Sequence, residues 1–305
     1  MSRKPHRPRR FLKRGLLVLL ALALITGISA WASMNWLTVT RYECVSEKLT
    51  QPLTIVLISD LHDHEFGKNN QELIQKIAAQ SPDLIVFAGD ALNYYSKDDS
   101  VLIRLVQRLR PLAPIYYTVG NHDVSFMAVH KMAGRVERLE RAGAIVLNSS
   151  YMDVLLKGQH LRIGGLYNYV YSRGGVSQES FRSGEAYQFL AEFEATDAFK
   201  LLLAHKPAFL LNQEENARWD VDLALCGHEH GGQVRLPLLG SVYSPHLGWF
   251  SPYTDGAHLL NGIPVIITRG LSTYLTMFNG WPTPPRLFNP PEIVTLSLLP
   301  AQDVG

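Results

Sequence analysis

Gly15–Met34 reads GLLVLLALALITGISAWASM, twenty residues without a charge. At 1.5 Å per residue this run matches the ~30 Å hydrocarbon core of a bilayer, and it predicts a membrane-spanning helix over residues 15–36. From Leu53 the pattern changes. Leu53–Ile58, Leu84–Ala88 and Ile115–Val119 are short, continuous, β-branched apolar runs of the kind buried on both faces of a sheet. Each is followed by apolar positions at helical spacing: Leu73, Ile74, Ile77 and Ala78; then Val101, Leu102, Leu105, Val106 and Leu109; then Met132, Val136 and Leu139, with Gly143 placed to end the helix. These are successive βα units. Residues 37–52, between the span and the first unit, read as a polar connector.

The second half is richer in strands: Ala144–Leu147, Tyr151–Leu156, Leu161–Gly165, Leu201–Ala204, Leu223–Cys226, Val265–Thr268 and Glu292–Leu298, with its clearest helical pattern over Gly184–Phe193. A strand-rich half after a βα half predicts an α/β fold of two packed sheets with helices outside, in one domain over residues 53–299 followed by a short tail, 300–305.

Charge sets the orientation. Residues 1–14 carry seven basic side chains and no acid, leaving a body of 22 basic and 27 acidic residues, net −5, despite the formal +2 of the whole chain. The positive-inside rule keeps this basic tail in the cytoplasm and sends the body outside, as a single-pass membrane protein. Ala30-Trp31-Ala32 also has the small-x-small form of a signal-peptidase site, so retained anchor and cleaved leader both fit; the length of the run and the flanking Trp31 and Trp36 favour the anchor. A body of net −5 argues against a general nucleic-acid binder, while leaving room for a local basic groove. Cys44 and Cys226 have no neighbouring thiol, which excludes a disulfide scaffold and a cysteine zinc site and leaves two unpaired thiols as the expectation.

Metal-competent residues stand at the C-terminal ends of five apolar runs: Asp60-x-His62, Gly89-Asp90, Gly120-Asn121-His122-Asp123, His205, and Gly227-His228-Glu229-His230. That edge of an open α/β sheet is where ligands bind. A mixed Asp/His/Asn set without thiolates suits borderline divalent cations such as Mn, Fe or Zn.

These five blocks, in this order, resemble the calcineurin-like metallophosphoesterase family, and the likeness extends from about Leu53 to Leu299. It is greater to bacterial envelope members with one N-terminal apolar segment, through Gly227–Gln233, Arg269-Gly270 and Asn289–Glu292; Glu229 stands where those commonly have Thr. The resemblance implies a four-layer α/β/β/α sandwich and two divalent ions. Asp60, His62, Asp90 and His230 would hold one; Asp90, Asn121, His205 and His228 would hold the other, with Asp90 bridging. Such a pair readies a hydroxide for in-line attack on phosphorus. The resemblance makes His122 the catalytic histidine that is not a ligand. Asp123 has two readings, an orienting partner of His122 or a helix N-cap. His64, Asp63, Asn93 and Arg269 are candidates for substrate contacts. His130, His160, His246 and His258 match no block.

Leu236–Gly240, Leu247–Phe250 and Tyr274–Phe278 with Trp281 are aromatic and apolar segments punctuated by Gly or Pro. They read either as ordinary packing over the second sheet or as loops facing a bilayer near the site mouth. The function expected is hydrolysis of a phosphoester, a phosphodiester before a monoester or nucleotide, on a lipid- or cell-wall-linked phosphate. A tethered binding protein with a structural metal site is the alternative from another class.

Overall fold

A computed structural model describes residues 8–130, 134–166, 184–207, 210, 219–244, 247–272, 277–278, 281–282 and 285–301. Most of the basic tail, Met132, His246, Tyr274–Thr276 and residues 302–305 lie outside them. The apolar run forms one helix, α1 (Pro8–Asn35), exposed from Phe11 to Ile28. Its last turns meet the body: Ser29 Oγ accepts the N–H of Phe288 at 2.6 Å, and Ser33 Oγ accepts that of Asn289 at 3.1 Å.

The segment expected to be a connector is mostly strand. β1 (Thr38–Ser46) pairs in parallel, over its whole length, with the last strand of the chain. Its polar look has a simple cause: it is an edge strand with one face toward solvent, so its side chains alternate between half-buried and exposed instead of forming an apolar run.

The βα units follow as β2 (Leu53–Ile58), α2 (Gln71–Ala78), β3 (Leu84–Ala88), α3 (Ser100–Leu109), β4 (Ile115–Thr118), α4 (Asn121–His130), α5 (Arg135–Ala142) and β5 (Ala144–Leu147). Gly143, in the left-handed region at φ 116°, ends α5 as its position in the sequence predicts. Then come β6 (Ser150–Leu156), β7 (Gln159–Leu166), α6 (Glu185–Glu194), β8 (Phe199–Ala204) and β9 (Leu223–Cys226). A small meander, β10 (Val234–Leu236), β11 (Gly240–Ser244) and β12 (Gly248–Trp249), leads to β13 (Gly256–Leu260) and β14 (Ile263–Ile267). A two-stranded pair, β15 (Met277–Phe278) and β16 (Trp281–Pro282), precedes β17 (Glu292–Pro300).

The strands form two large sheets, ordered β1-β17-β2-β3-β4-β5 and β13-β14-β9-β8-β7-β6. Ile55, Leu57, Val86 and Leu296 of the first meet Leu161, Ile163, Leu201, Leu203 and Leu225 of the second in one core. The alternate residues Val56, Ile58, Ile85 and Phe87 face α2, α3 and α5. On the far side of the second sheet Leu202, Ala204, Ala224 and Cys226 pack on Phe189, Leu190 and Phe193 of α6. The result is the four-layer sandwich. β2, β3 and β4 are mutually parallel, as are β7, β8, β9 and β14, so their C-terminal ends share one edge of each sheet. Cys226 is buried and Cys44 half-buried, both as free thiols.

Candidate metal centre

The five strand ends converge between the sheets. Loop backbones knit them together: the Asp60 N–H donates to Gly89 O at 3.0 Å, His62 N–H to Asp90 O at 3.1 Å, and Gly227 N–H to His205 O at 3.0 Å. Glycine is required at two of these turns by close approach. A Cβ on Gly120 would lie 2.0 Å from Asp90 Oδ1, and one on Gly227 would lie 2.5 Å from Asp60 Oδ2. Asp60, His62, Asp90, His228 and His230 all have left-handed backbones, with φ between 46° and 74°. Such conformations cost of order 1 kcal/mol or more each and persist where the surroundings enforce them, typically at sites of function.

Two triads result, Asp60, His62 and His230, and Asp90, His205 and His228, each with potential ligand atoms within 4.8 Å of one another; a third grouping at the same spacing, His62, Asp90 and His122, overlaps both. His62 Nε2 lies 3.9 Å from both Asp60 Oδ1 and Asp90 Oδ2, which places Asp90 between the two triads. His205 Nε2 is 3.0 Å from Asp90 Oδ2, and His205 Nδ1 donates to Ala88 O at 2.7 Å, leaving Nε2 turned into the site. The His228 N–H donates to Asp60 Oδ2 at 3.0 Å, fixing that carboxylate.

The donor set fits divalent ions on a direct observation. Neither ring nitrogen of His62 has a hydrogen-bond partner although the residue is 1% exposed, and Asn121 Oδ1 and His230 Nδ1 are buried and unpartnered too. Buried polar atoms left so are costly unless something else satisfies them. Burial, with the charge of His122 second, pushes His62 down to about 3, and burial lowers His230 as well, so both imidazoles are neutral and ready to donate lone pairs. Burial raises Asp60 to about 6. His205 goes the other way: burial would lower it, but the Asp90 carboxylate overrides this and lifts it to about 9.

His122 sits beside the first triad, its ring 4.7 Å from that of His62 and edge-on to it, and its backbone N–H donates to Asp90 Oδ1 at 2.8 Å. Asp123 is placed differently from either expectation. Its Oδ2 accepts the N–H groups of Asp90 and Gly120, both at 2.9 Å, and the Tyr117 hydroxyl at 2.7 Å. Its Oδ1 accepts Leu92 N–H and the guanidinium of Arg135, both at 3.2 Å. It lies inside α4, where it reaches back to satisfy the amide preceding the helix, the reciprocal half of a capping box. All its lone pairs go to these groups, so it does not orient His122.

Arg269 is tied down within the protein. Its guanidinium pairs with Glu292 at 2.7 Å, and its N–H donates to the other oxygen of that carboxylate. Asn93 is buried with an unpartnered Oδ1, while His64 is half-buried against Phe66; neither joins a triad. Asp63 is half-buried, and burial lifts its carboxyl to about 6. Four supporting residues were given no role from sequence. Arg286, fully buried, donates to the carbonyls of Arg269, Gly270 and Asn289. Asn289 Nδ2 donates to His230 O at 2.7 Å. Arg135 pairs with Asp123. Glu229, itself buried, accepts the Ser244 hydroxyl at 2.6 Å. Only Asn289 and Glu229 carry a signal in the sequence, standing within Asn289–Glu292 and Gly227–Gln233.

The calcineurin-like phosphoesterase profile matches residues 53–232, more than half of the chain, and the chain belongs to that family. The uncharacterized metallophosphoesterase YkuE of Bacillus subtilis (strain 168) is 28% identical over 80% of this chain and 78% of its own. Phosphodiesterase YaeI of Escherichia coli (strain K12) is 26% identical over 90% of this chain and 92% of its own. The crystal structure of TT1561 of Thermus thermophilus aligns at 13% identity and TM-score 0.44, covering 72% of this chain and 91% of that one. Family membership makes the protein a phosphoester hydrolase, and its two triads fit a dinuclear divalent site.

Proposed function

We propose that the protein is a phosphodiesterase, held by α1 on the outer face of the cytoplasmic membrane and acting on a lipid- or cell-wall-linked phosphate. The observation that carries the catalytic reading is Asp90, the carboxylate between two triads of carboxylate and imidazole groups, with His122 bonded to it through the backbone. Asp60, His62, Asp90 and His230 would hold one ion, and Asp90, Asn121, His205 and His228 would hold the other. When bound, such a pair acidifies water toward neutral pH and offsets phosphate charge. His122 is free of those duties, and its ring supplies or steadies a proton at the leaving oxygen. Asp123, Tyr117 and Arg135 keep the Asp90 loop in place. Preference for a diester is supported by the name of the Escherichia coli relative, and the orientation by the basic residues preceding α1.

The test is to strip metal from the full chain with chelator, restore Mn, Fe, Zn or Mg separately, and compare an aryl phosphodiester with its monoester. Diester turnover should return with at least one of the first three and be absent in Asp90→Asn. Faster monoester turnover would replace the diesterase reading, and no turnover with any metal would end the catalytic one.

A further inference from the structure

The meander β10–β12 follows the metal-binding His-Glu-His loop directly, and its outer surface is apolar. Leu238 is fully exposed, Leu239 is 68% exposed, Trp249 70% and Phe250 61%. From Leu236 to Thr254 the chain contains no Asp, Glu, Lys or Arg. Leu238 caps the β10–β11 turn at φ 70°, and Phe250 follows β12 at φ 54°. For bulky residues the left-handed region is a genuine outlier, and turns there normally take Gly or Asn. Neither folding nor solubility accounts for two large apolar side chains at such positions.

The meander is also tied to the end of α1. Leu287 N–H donates to Gln233 O at 3.2 Å and Arg235 N–H to Leu287 O at 2.9 Å, so residue 287 runs alongside β10. The next two residues, Phe288 and Asn289, give their N–H groups to Ser29 and Ser33 of α1. Counting ~20 residues of hydrocarbon from Gly15 puts the far boundary of a bilayer near Met34, so Asn289, on Ser33, lies at that boundary, and Phe288, on Ser29, lies about 7.5 Å inside it. Strands are ~4.8 Å apart, which leaves β12 within about 15 Å of segment 287–289.

We infer that β10–β12 is an interfacial membrane element, seating Leu238, Leu239, Trp249 and Phe250 in the headgroup region of the same bilayer that α1 crosses. Apolar and aromatic side chains free of formal charge are the composition that settles there. With both α1 and the meander seated, the His228–His230 loop faces the headgroup layer, which narrows the substrate of the proposed hydrolase to a phosphoester carried by a lipid. This rests on the reading of α1 as a membrane anchor.

The test uses the full chain with Cys44→Ser, reconstituted in vesicles of phosphatidylethanolamine and phosphatidylglycerol. A fluorescent label is attached in turn through Leu238→Cys, Phe250→Cys, Leu20→Cys in α1, and Lys157→Cys on the exposed β6–β7 turn. Lipids bearing a nitroxide near the headgroup should remove most of the fluorescence at 238 and 250, deep nitroxides most of that at 20, and iodide in the water most of that at 157. If 20 is quenched by lipid while 238 and 250 respond to iodide like 157, the inference falls and the anchor stands. If 20 is not quenched by lipid, both fall. Shielding of 238 and 250 from lipid and iodide alike would assign the face to a second copy of the chain and overturn the inference.

Discussion

Oδ2 of Asp123 accepts the backbone N–H of Asp90 at 2.9 Å, so the carboxylate between the two triads is held in place by a residue that coordinates nothing itself. Removing the Asp123 carboxylate leaves the Arg135 guanidinium, 2% exposed, without its charge partner, and leaves the amides of Asp90, Leu92 and Gly120 without their acceptor. Breaking a buried pair in this way costs about 3–5 kcal/mol. Asp123→Ala should therefore lower unfolding free energy by that order in urea titrations and lose bound metal along with turnover. Full metal content with only kcat reduced would instead favour the orienting role.

His122→Ala removes a ring that neither triad requires. Its loss should reduce kcat about 10²–10⁴-fold, the usual contribution of a positioned acid or base. Metal content, read by elemental analysis of the purified variant, should be unchanged. Loss of an ion would show that the third grouping, His62 with Asp90 and His122, is itself a ligand set.

Metal loading should release a proton from His205. In the metal-free protein the Asp90 carboxylate, outweighing burial, lifts this histidine to about 9, so at pH 8 its ring is protonated and has to lose that proton before Nε2 can bind an ion. Titration calorimetry with Mn in buffers of different ionisation enthalpy should read about one proton released per protein at pH 8, diminishing above pH 9. The same release throughout this range would contradict the assignment.

Glu229 gives a pH dependence of stability with a definite sign. Burial, joined by the charge of Asp60 and opposed by the Ser244 hydrogen bond, raises its carboxyl from 4.5 to about 7. The fold thus prefers the protonated acid, and stability from this group is present below pH 4.5 and lost as pH rises through 7. In metal-stripped protein, Glu229→Gln should gain on wild type between pH 5 and 8, by on the order of 3 kcal/mol at most. A stability difference independent of pH would refute it.

The sheets were legible because their strands are continuous apolar runs, which only a sheet covered on both faces demands. β1 was not, because an edge strand half in water carries no such run, and its partner in β17 is 254 residues away along the chain at Thr38 and Glu292. The blocks that converge on the candidate centre were legible for a related reason: short polar residues directly after an apolar strand mark its end. Asp123 lay in the same block but was misread, since sequence gives its position and not the five donors that converge on it. Arg269 shows the same gap, its pairing with Glu292, 23 residues on, being visible only in the fold. Arg286 and Arg135 offered no pattern at all; only the folded chain reveals what a buried guanidinium holds.

Asp60, Asp90 and Asn121 come from one sheet and His205, His228 and His230 from the other. Each triad therefore draws on both sheets, and the candidate centre belongs to the packed sandwich, with no single layer carrying it.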